Sequence, residues 1–292
     1  MFQLRTIAKR VEGIEALDRP AEQVGKLLEP YLTKRPLKDI LSGTWIGHPL
    51  HPVLTDVVIG SWISAGFLDL FPTKQSSRAA DKLILLGCVS ALPTALAGAS
   101  DWLDVGGRER RVGLVHALGN ITAIVLYLWS YLSRKRGKRF KGLALSTLGG
   151  AVSVGSAFLG GHLSFGMGVG VNQTAFEGDY YEDQPADWTE VLDESALEGL
   201  RKGKGAAGAA PNGVQIFVYR DGDRLFAMSN RCSHRGCALH TGRVRDGNVN
   251  CPCHGSSFRL DDGSVVRGPA TSPQPTYDVR ARAGKIEVKA RA

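Results

Sequence analysis

The sequence predicts a multidomain chain in which an α-helical transmembrane four-helix bundle is followed by a small all-β, antiparallel domain. Four long apolar stretches occupy residues 52–71, 83–103, 112–132 and 142–171. Each approaches or exceeds the roughly 20 residues that a helix needs to cross a bilayer. Beyond residue 213 the apolar period changes to two, and turns rich in Gly and Asp separate the short runs, which is typical of β-strands.

The positive charge of the chain is confined to its first part. The 292 residues include 36 Lys or Arg and 28 Asp or Glu, a net charge of +8. Residues 1–171 hold 20 basic and 12 acidic residues, whereas residues 172–292 hold 16 of each. Because the basic residues fall in short runs between apolar stretches, they form no continuous basic face, and we expect no nucleic-acid partner. The pattern instead predicts basic loops beside membrane helices, in contact with lipid.

We divide the chain into four parts. Residues 1–40 form an amphipathic N-terminal tail, which suits either an interfacial helix pair or a solvated tail. Residues 41–171 form the four-helix transmembrane domain, residues 172–186 an acidic linker, and residues 187–292 the β domain. Within the β domain, the glycine- and alanine-rich residues 203–213 are expected to be a flexible loop.

The loop charges predict an orientation in the membrane. Residues 134–141, between the third and fourth stretches, contain six basic residues, and the loop between the first and second stretches contains three more. An even number of crossings puts both loops on one side, which the positive-inside rule makes cytoplasmic. We therefore expect the β domain on the extracytoplasmic side, although basic residues of the tail and Arg108, Arg110 and Arg111 oppose this orientation.

Six ionisable residues lie at matching depths in the predicted helices. They are His48, His51, Asp56, Asp101, His116 and His162. Because helix directions alternate, all six are expected near the face that carries both termini. Ionisable side chains in a membrane are costly, so their convergence is a hypothesis of function. Three alternatives stay open: side chains that meet headgroup water, a haem b held by two histidines, and a non-haem metal or quinol pocket.

Two motifs of the apolar half carry a resemblance. The GHPLHP run at residues 47–52 and the GHLSFGMGVGV run at residues 161–171 resemble a bacterial family of four-helix membrane proteins of unknown function. The resemblance covers roughly residues 40–171 and implies a multi-pass protein of the bacterial cell membrane. It implies no chemistry.

The most specific pattern lies in the β domain. Cys232-Ser-His234 is followed, after 16 intervening residues, by Cys251-Pro-Cys253-His254. Two loops thus each supply one thiolate and one imidazole. Four such ligands suit either tetrahedral zinc or a two-iron two-sulfur cluster with a Cys pair on one iron and a His pair on the other. The one-residue spacing between Cys232 and His234 disfavours zinc, whose ribbons use C-x-x-C pairs.

These loops closely resemble the Rieske iron–sulfur family over about residues 187–292. The resemblance implies four metal ligands of a 2Fe-2S cluster, which are Cys232, His234, Cys251 and His254. The cysteines would hold the buried iron and the histidines the outer iron. It also implies a disulfide between Cys237 and Cys253, a feature of the cytochrome bc type that many soluble Rieske ferredoxins lack. Disulfides are favoured outside the cytoplasm.

The same resemblance assigns roles around the cluster. Gly268-Pro269-Ala270 resembles the proline loop that covers the cluster, and Ser256 matches a serine whose hydroxyl donates to a bridging sulfide. The matching tyrosine of high-potential members is Phe258 here. Because such donors stabilise the reduced cluster, we expect a potential below the highest bc-type values and above ferredoxins that lack both hydroxyls.

A Rieske cluster moves single electrons. The sequence therefore predicts a membrane-anchored electron-transfer protein between a membrane donor, quinol or haem, and a redox partner protein. By the same resemblance, His234 or His254 would accept a proton and a hydrogen bond from quinol. Quinol oxidation is the one enzymatic activity expected, and no catalytic residue is predicted. The alternatives are an electron-transfer component of a separate oxygenase or reductase, and a membrane redox sensor.

Overall fold

The computed structural model describes residues 4–175, 187–211 and 213–291, and it divides into two compact units. The helical unit contains the chain up to Leu37 and Pro49–Val169. The head contains Lys38–His48 and the chain from Gly170 onwards. The short segment Lys38–His48, which precedes the first long helix, thus belongs with the β-strands. Most of the predicted linker, residues 172–186, lies outside the described residues.

The described part of the chain forms seven α-helices. They are α1 (Leu4–Glu12), α2 (Asp18–Leu32), α3 (Leu37–Ser42), α4 (Leu50–Asp69), α5 (Lys74–Trp102), α6 (Gly107–Lys135) and α7 (Arg139–Gly161). Helices α4 to α7 form the bundle. Helices α5, α6 and the stretch Arg139–Gly166 are each long and apolar enough to cross a membrane. The fourth member, α4, is 20 residues long and carries His51, Asp56 and Asp69.

Local sequence explains where the bundle helices begin and turn. Helix α5 starts with a capping box: Thr73 Oγ1 accepts from the Ser76 N–H at 3.0 Å, and Ser76 Oγ accepts from the Thr73 N–H at 2.8 Å. These bonds satisfy N–H groups that a helix start leaves unpaired. The turn between α6 and α7 contains Gly137 at φ 75°, a left-handed conformation that glycine adopts without strain.

The bundle consists of two helical hairpins of the same design. In the hairpin α4–α5, a Cβ built on Gly98 would lie 2.7 Å from the His51 ring. In the hairpin α6–α7, a Cβ built on Gly160 would lie 2.9 Å from the His116 ring. His116 follows His51 by 65 positions and Gly160 follows Gly98 by 62. Each histidine ring therefore packs into the gap left by the glycine of its neighbouring helix.

Equivalent residues of the two hairpins meet each other. Trp62 and Tyr127, also 65 positions apart, stack with ring centroids 4.0 Å apart. Asp69 and Arg134, again 65 positions apart, form a salt bridge of 2.6 Å with side chains that are 5% and 1% exposed. The hairpins are thus parallel repeats about a pseudo-two-fold axis. In membrane proteins, such an axis runs along the membrane normal.

The two N-terminal helices pack on this bundle. Ala8 of α1 forms a buried apolar cluster with Val112 and Leu159. The Arg111 guanidinium donates to both carboxylate oxygens of Asp18 in α2, at 2.6 and 2.7 Å. The predicted amphipathic tail is therefore largely helical. Ala8 lies against α6 and α7, whereas the larger apolar side chains Leu27 and Tyr31 are exposed.

The described residues of the head form ten strands in two antiparallel sheets. They are β1 (Thr189–Asp193), β2 (Ala206–Ala209), β3 (Gln215–Asp221), β4 (Arg224–Ser229), β5 (Arg243–Arg245), β6 (Asn248–Asn250), β7 (Ser257–Arg259), β8 (Val265–Arg267), β9 (Thr276–Arg282) and β10 (Lys285–Ala290). The larger sheet has the order β1-β10-β9-β4-β3-β2, and the smaller has the order β5-β6-β7-β8. The small antiparallel all-β domain predicted from the sequence is confirmed.

One local prediction in the head is wrong. Part of the expected flexible loop, residues 203–213, forms β2, which pairs with β3 from Ala206↔Val218 to Ala209↔Gln215. Small residues are needed here, because a Cβ on Gly208 would lie 2.7 Å from the Val191 carbonyl oxygen. Backbone pairing overrides the weak strand propensity of an Ala-Gly run.

The head has a core that includes two of the predicted ligands. Phe217, Phe226 and Met228 of the larger sheet share one buried cluster with Val249 and Phe258 of the smaller sheet. Cys232 and Cys251 belong to the same cluster. The ligand loops therefore leave a packed core, which fixes the positions of their first residues.

Candidate metal centre

Two loops of the same backbone design hold the predicted ligands. In the first loop, the Cys232 N–H donates to the Cys237 carbonyl at 2.9 Å, and the Gly236 N–H donates to the Cys232 carbonyl at 2.7 Å. The second loop repeats both bonds: the Cys251 N–H donates to the Ser256 carbonyl at 2.8 Å, and the Gly255 N–H donates to the Cys251 carbonyl at 3.2 Å. Gly236 and Gly255 adopt φ of 76° and 78°, where glycine is unstrained. The two loops thus present equivalent residues in equivalent ways.

The two unpaired thiols of the head lie at the start of these loops. Cys232 and Cys251 are 1% and 3% exposed, and neither forms a disulfide. A hydrogen bond between the two side chains, together with burial, raises the pKa of Cys232, and the same hydrogen bond lowers the pKa of Cys251 to about 7. Because thiolates are the form that binds metal, Cys251 is the thiol of the pair that loses its proton more readily.

A disulfide joins the two loops. Cys237 and Cys253 are bonded, with their Cα atoms 6.5 Å apart, so the predicted disulfide is confirmed. The sulfur atoms of Cys237, Cys251 and Cys253 lie within 4.8 Å of one another. Since two of these sulfurs are bonded to each other, Cys251 is the one of the three that offers a thiolate to a metal.

The two histidines of the motif face each other across the loops. The ring centroids of His234 and His254 are 5.0 Å apart, with the rings edge to face. Burial lowers the pKa of His234 to about 3, and the electrostatic interactions of His234 with His254, Lys38 and Arg235 add to this effect. His234 is therefore a neutral imidazole, the form that ligates metals. Two buried thiols and two neighbouring imidazoles fit the donor set of a mixed Cys and His two-iron cluster.

The residues predicted around the cluster also lie beside the loops. Ser256 is fully buried, and its Oγ accepts from the Ala270 N–H at 3.0 Å. Because the oxygen is engaged as an acceptor, the hydroxyl hydrogen is left to donate to another group. Phe258 is fully buried in the core, and the Gly268-Pro269 peptide precedes Ala270 in the loop that contacts Ser256. Their roles toward the cluster stay predictions.

Residues outside the motif also contact the ligand loops and the proline loop, and no local sequence pattern predicts these contacts. Asp39 Oδ1 accepts from the Gly268 N–H at 2.9 Å, across 229 positions of sequence. The Gln173 N–H donates to the Ser233 carbonyl at 2.9 Å, and Gln173 Oε1 accepts from Arg231 at 3.2 Å. The head segments that adjoin the helical unit in sequence therefore pack on the ligand loops.

The structure brings together two of the six ionisable residues predicted in the membrane domain. The rings of His51 and His116 lie edge to face, with centroids 6.4 Å apart. His51 Nδ1 is 2.9 Å from the Thr94 carbonyl oxygen, and His116 Nδ1 is 2.8 Å from the Ser156 carbonyl oxygen. A carbonyl only accepts, so both protons sit on Nδ1 and both Nε2 atoms carry lone pairs. His116 Nε2 accepts from the Asn120 amide at 3.0 Å.

The other four residues of that prediction have different surroundings. His162 Nε2 is 2.8 Å from a Glu12 carboxylate oxygen, and both side chains are about nine-tenths buried. Asp56 is exposed on the surface of the bundle, and Asp101 is half-buried near the end of α5. His48 belongs to the head rather than to the helical unit.

A buried ionic cluster at the other end of the bundle went unpredicted. Arg134 donates to Asp69 and lies within 3.5 Å of Asp81, and Arg139 reaches the same two carboxylates at 2.7 and 3.0 Å. The signal that would have found it is the internal repeat. The 65-position offset that pairs His51 with His116 also pairs Asp69 with Arg134.

Two family matches divide the chain in the same way as the motifs. Residues 187–278 match the family described as Rieske 2Fe-2S domain. Residues 47–173 match the family described as Predicted membrane protein (DUF2231). The second match supports a membrane location and names no activity.

Three curated relatives are named as ferredoxins or as an iron–sulfur subunit. The ferredoxin subunit of anthranilate 1,2-dioxygenase from Burkholderia cepacia is 41% identical over 73 residues, 25% of this chain and 68% of that protein. The cytochrome b6-f complex iron–sulfur subunit of Chlorobaculum tepidum is 32% identical over 113 residues, 36% of this chain and 58% of that protein. Ferredoxin CarAc of Metapseudomonas resinovorans is 29% identical over 102 residues, 35% of this chain and 92% of that protein.

Fold, donor set and comparisons agree on one class: an iron–sulfur electron-transfer protein with a helical membrane domain. More narrowly, the chain belongs to the Rieske family, and its head is a Rieske 2Fe-2S domain. The suspected fusion of this domain to a bacterial membrane domain of unknown function is confirmed.

Proposed function

We propose that this protein passes single electrons between quinol in the membrane and a redox partner protein, through a 2Fe-2S cluster in the head. Cys232 and Cys251 hold the inner iron, and His234 and His254 hold the outer iron. The observation that supports the proposal is the pair of equivalent loops, in which the two buried thiols contact each other and the two imidazoles contact each other. When bound, the cluster supplies reversible one-electron chemistry.

The chain's own residues do the rest of the work. The twin loops and the Cys237–Cys253 disulfide fix the four donors. The core around Phe217 and Phe258 keeps water from the inner side. The half-buried histidines are the donors nearest the surface, so one of them receives the hydrogen bond of an incoming quinol hydroxyl. The disulfide supports the bc-like role and an extracytoplasmic head, because disulfides persist in oxidising compartments.

The histidine pair of the bundle supports quinol rather than haem b as the membrane donor. His51 Nε2 has a lone pair, and no hydrogen-bond donor reaches it from the described residues. It suits a quinol hydroxyl, which needs an acceptor. A haem iron would need both Nε2 atoms, whereas the Asn120 amide occupies that of His116.

A second candidate function is electron delivery to a separate oxygenase. The 41% identity to a dioxygenase ferredoxin subunit favours it, whereas the disulfide and the membrane domain favour the quinol role. A redox sensor that uses the Cys237–Cys253 disulfide is the third. These functions differ in the speed with which quinol reduces the cluster.

The test uses the full chain, purified in detergent with its cofactors retained. We expect the visible absorption of the cluster to bleach rapidly when a quinol analogue is mixed with the oxidised protein. We expect no sharp b-type haem band in the reduced-minus-oxidised spectrum. A cluster that dithionite reduces but quinol does not would refute the quinol role and leave the oxygenase role. A haem band that disappears in His51→Ala and His116→Ala would overturn the assignment of the bundle.

A further inference from the structure

We infer that Lys38–His48, which we call the clasp, is part of the cluster site, with Asp39 as a positioning residue that sets the reduction potential. The inference rests on the proposed cluster in the head. The clasp lies outside the residues that match the Rieske family, 187–278. It nevertheless belongs to the same compact unit.

The clasp is anchored on the proline loop. Asp39 Oδ1 accepts from the Gly268 N–H at 2.9 Å, a bond strengthened by the carboxylate charge. A Cβ added to Gly268 would collide with Thr44 Oγ1 and would lie 3.2 Å from Asp39 Oδ1. The two segments are therefore in direct contact, and glycine is required at the point where they meet.

The clasp is itself compact and partly buried. Gly43 and Gly47 adopt φ of 78° and 66° at either end of the turn Thr44–Ile46. Lys38, Leu41 and Ser42 are each less than 10% exposed. The turn geometry and this burial therefore give the clasp a fixed position on the proline loop.

The proline loop connects Asp39 to a predicted cluster donor. The N–H of Ala270, two residues after Gly268, donates to Ser256 Oγ at 3.0 Å. That bond orients the Ser256 hydroxyl, whose hydrogen is left to donate toward the cluster. Hydrogen bonds to the sulfurs stabilise the reduced cluster and raise its potential. A proline loop released from Asp39 would hold Ser256 less firmly, and the potential would fall.

The charge of Asp39 acts in the opposite sense. A carboxylate near the cluster disfavours the added electron, so its removal alone raises the potential. Asp39→Asn removes the charge but keeps an oxygen that accepts from Gly268. Asp39→Ala removes both. The comparison of these two variants isolates the hydrogen bond from the charge.

The experiment measures two properties of the full chain. We expect the reduced-to-oxidised ratio at a fixed applied potential to be at least about three-fold lower in Asp39→Ala than in Asp39→Asn, the effect of one net hydrogen bond. Amide hydrogen exchange over residues 265–272, in protein stripped of its cluster, should be faster in Asp39→Ala than in Asp39→Asn. Equal ratios, or a higher ratio in Asp39→Ala, would overturn the inference. So would equal exchange.

Matched variants keep the test decisive. Asp223→Ala removes an exposed carboxylate in the β3–β4 turn and should leave both readouts unchanged. If Asp39→Ala fails to load its cluster, Gly268→Ala is compared with Gly268→Ala/Thr44→Ala. The single variant should show the lower ratio, because removal of Thr44 Oγ1 makes room for the new Cβ. If the unmodified chain carries no cluster, the proposed function fails, and hydrogen exchange decides the clasp alone.

Discussion

Two histidine pairs of similar geometry lie in the two units of this protein. In the head, His234 and His254 have ring centroids 5.0 Å apart, and in the bundle His51 and His116 have ring centroids 6.4 Å apart, both edge to face. Two buried thiols accompany the first pair. The second pair is accompanied by main-chain carbonyls and one amide. The neighbours of a histidine pair, rather than the distance between its rings, decide its chemistry.

The two pairs also differ in how the chain builds them. The head places its ligands on two short loops with the same hydrogen-bond pattern. The bundle places its histidines by repeating a whole hairpin, so that residues 65 positions apart meet on an axis. A short motif reveals the first construction. The second becomes visible only when residues 65 positions apart are compared.

The largest effect is expected when the histidine pair of the head loses one of the two thiols that accompany it. Cys251→Ser should abolish the cluster, because a hydroxyl is a poor substitute for a thiolate on iron. Iron content and the visible spectrum of the purified protein measure the loss. Cys88→Ser, which changes the free thiol of helix α5 in the helical unit, is the control and should retain full cluster content. A Cys251→Ser protein with a normal spectrum would exclude Cys251 as a ligand.

The next largest effect concerns the disulfide, which joins the loops of the histidine pair in the head and has no counterpart among the described residues beside His51 and His116. Cys237→Ser opens a loop of 16 positions, and we expect a loss of about 3 kcal/mol in the stability of the head. The cluster should still assemble but bleach at a lower temperature in a thermal scan. An intact, fully redox-active cluster would also argue against the sensor function. No change in bleaching temperature would show that the disulfide does not support the loops.

A smaller effect tests the symmetry of the bundle pair. Gly98→Ala and Gly160→Ala each place a methyl group against a histidine ring, and we expect each to destabilise the bundle by about 1–3 kcal/mol through overpacking. Gly155→Ala, where a Cβ meets nothing within 4 Å, is the matched control. Thermal unfolding in detergent measures all three. A large loss in one of the two variants alone would contradict the repeat.

The smallest effect concerns the reduction potential of the cluster that the histidine pair of the head would hold. Phe258→Tyr restores the hydroxyl that high-potential members carry, and Ser256→Ala removes the remaining one. One net hydrogen bond of about 1 kcal/mol corresponds to roughly 40 mV for a one-electron couple, upward for the first variant and downward for the second. A redox titration checks both. A potential of the unmodified protein near −400 mV, as in plant-type ferredoxins, would contradict the assigned surroundings.

The sequence revealed local features better than distant ones. The ligand motif, the apolar stretches and the alternating strands depend on neighbours within a few residues, and each could be located. The pairing of Asp39 with Gly268 spans 229 positions, and β2 forms because its backbone meets β3 rather than because of its side chains. Such contacts depend on tertiary packing, which no short window contains.

The most direct test of the account is magnetic resonance of the reduced full chain labelled with ¹⁵N-histidine, together with its iron content. We predict two iron atoms per protein and coupling of the cluster electron to two histidine nitrogens, lost one at a time in His234→Ala and His254→Ala. A cluster without histidine coupling, or zinc in place of iron, would contradict the assignment of the head and the electron transfer proposed from it.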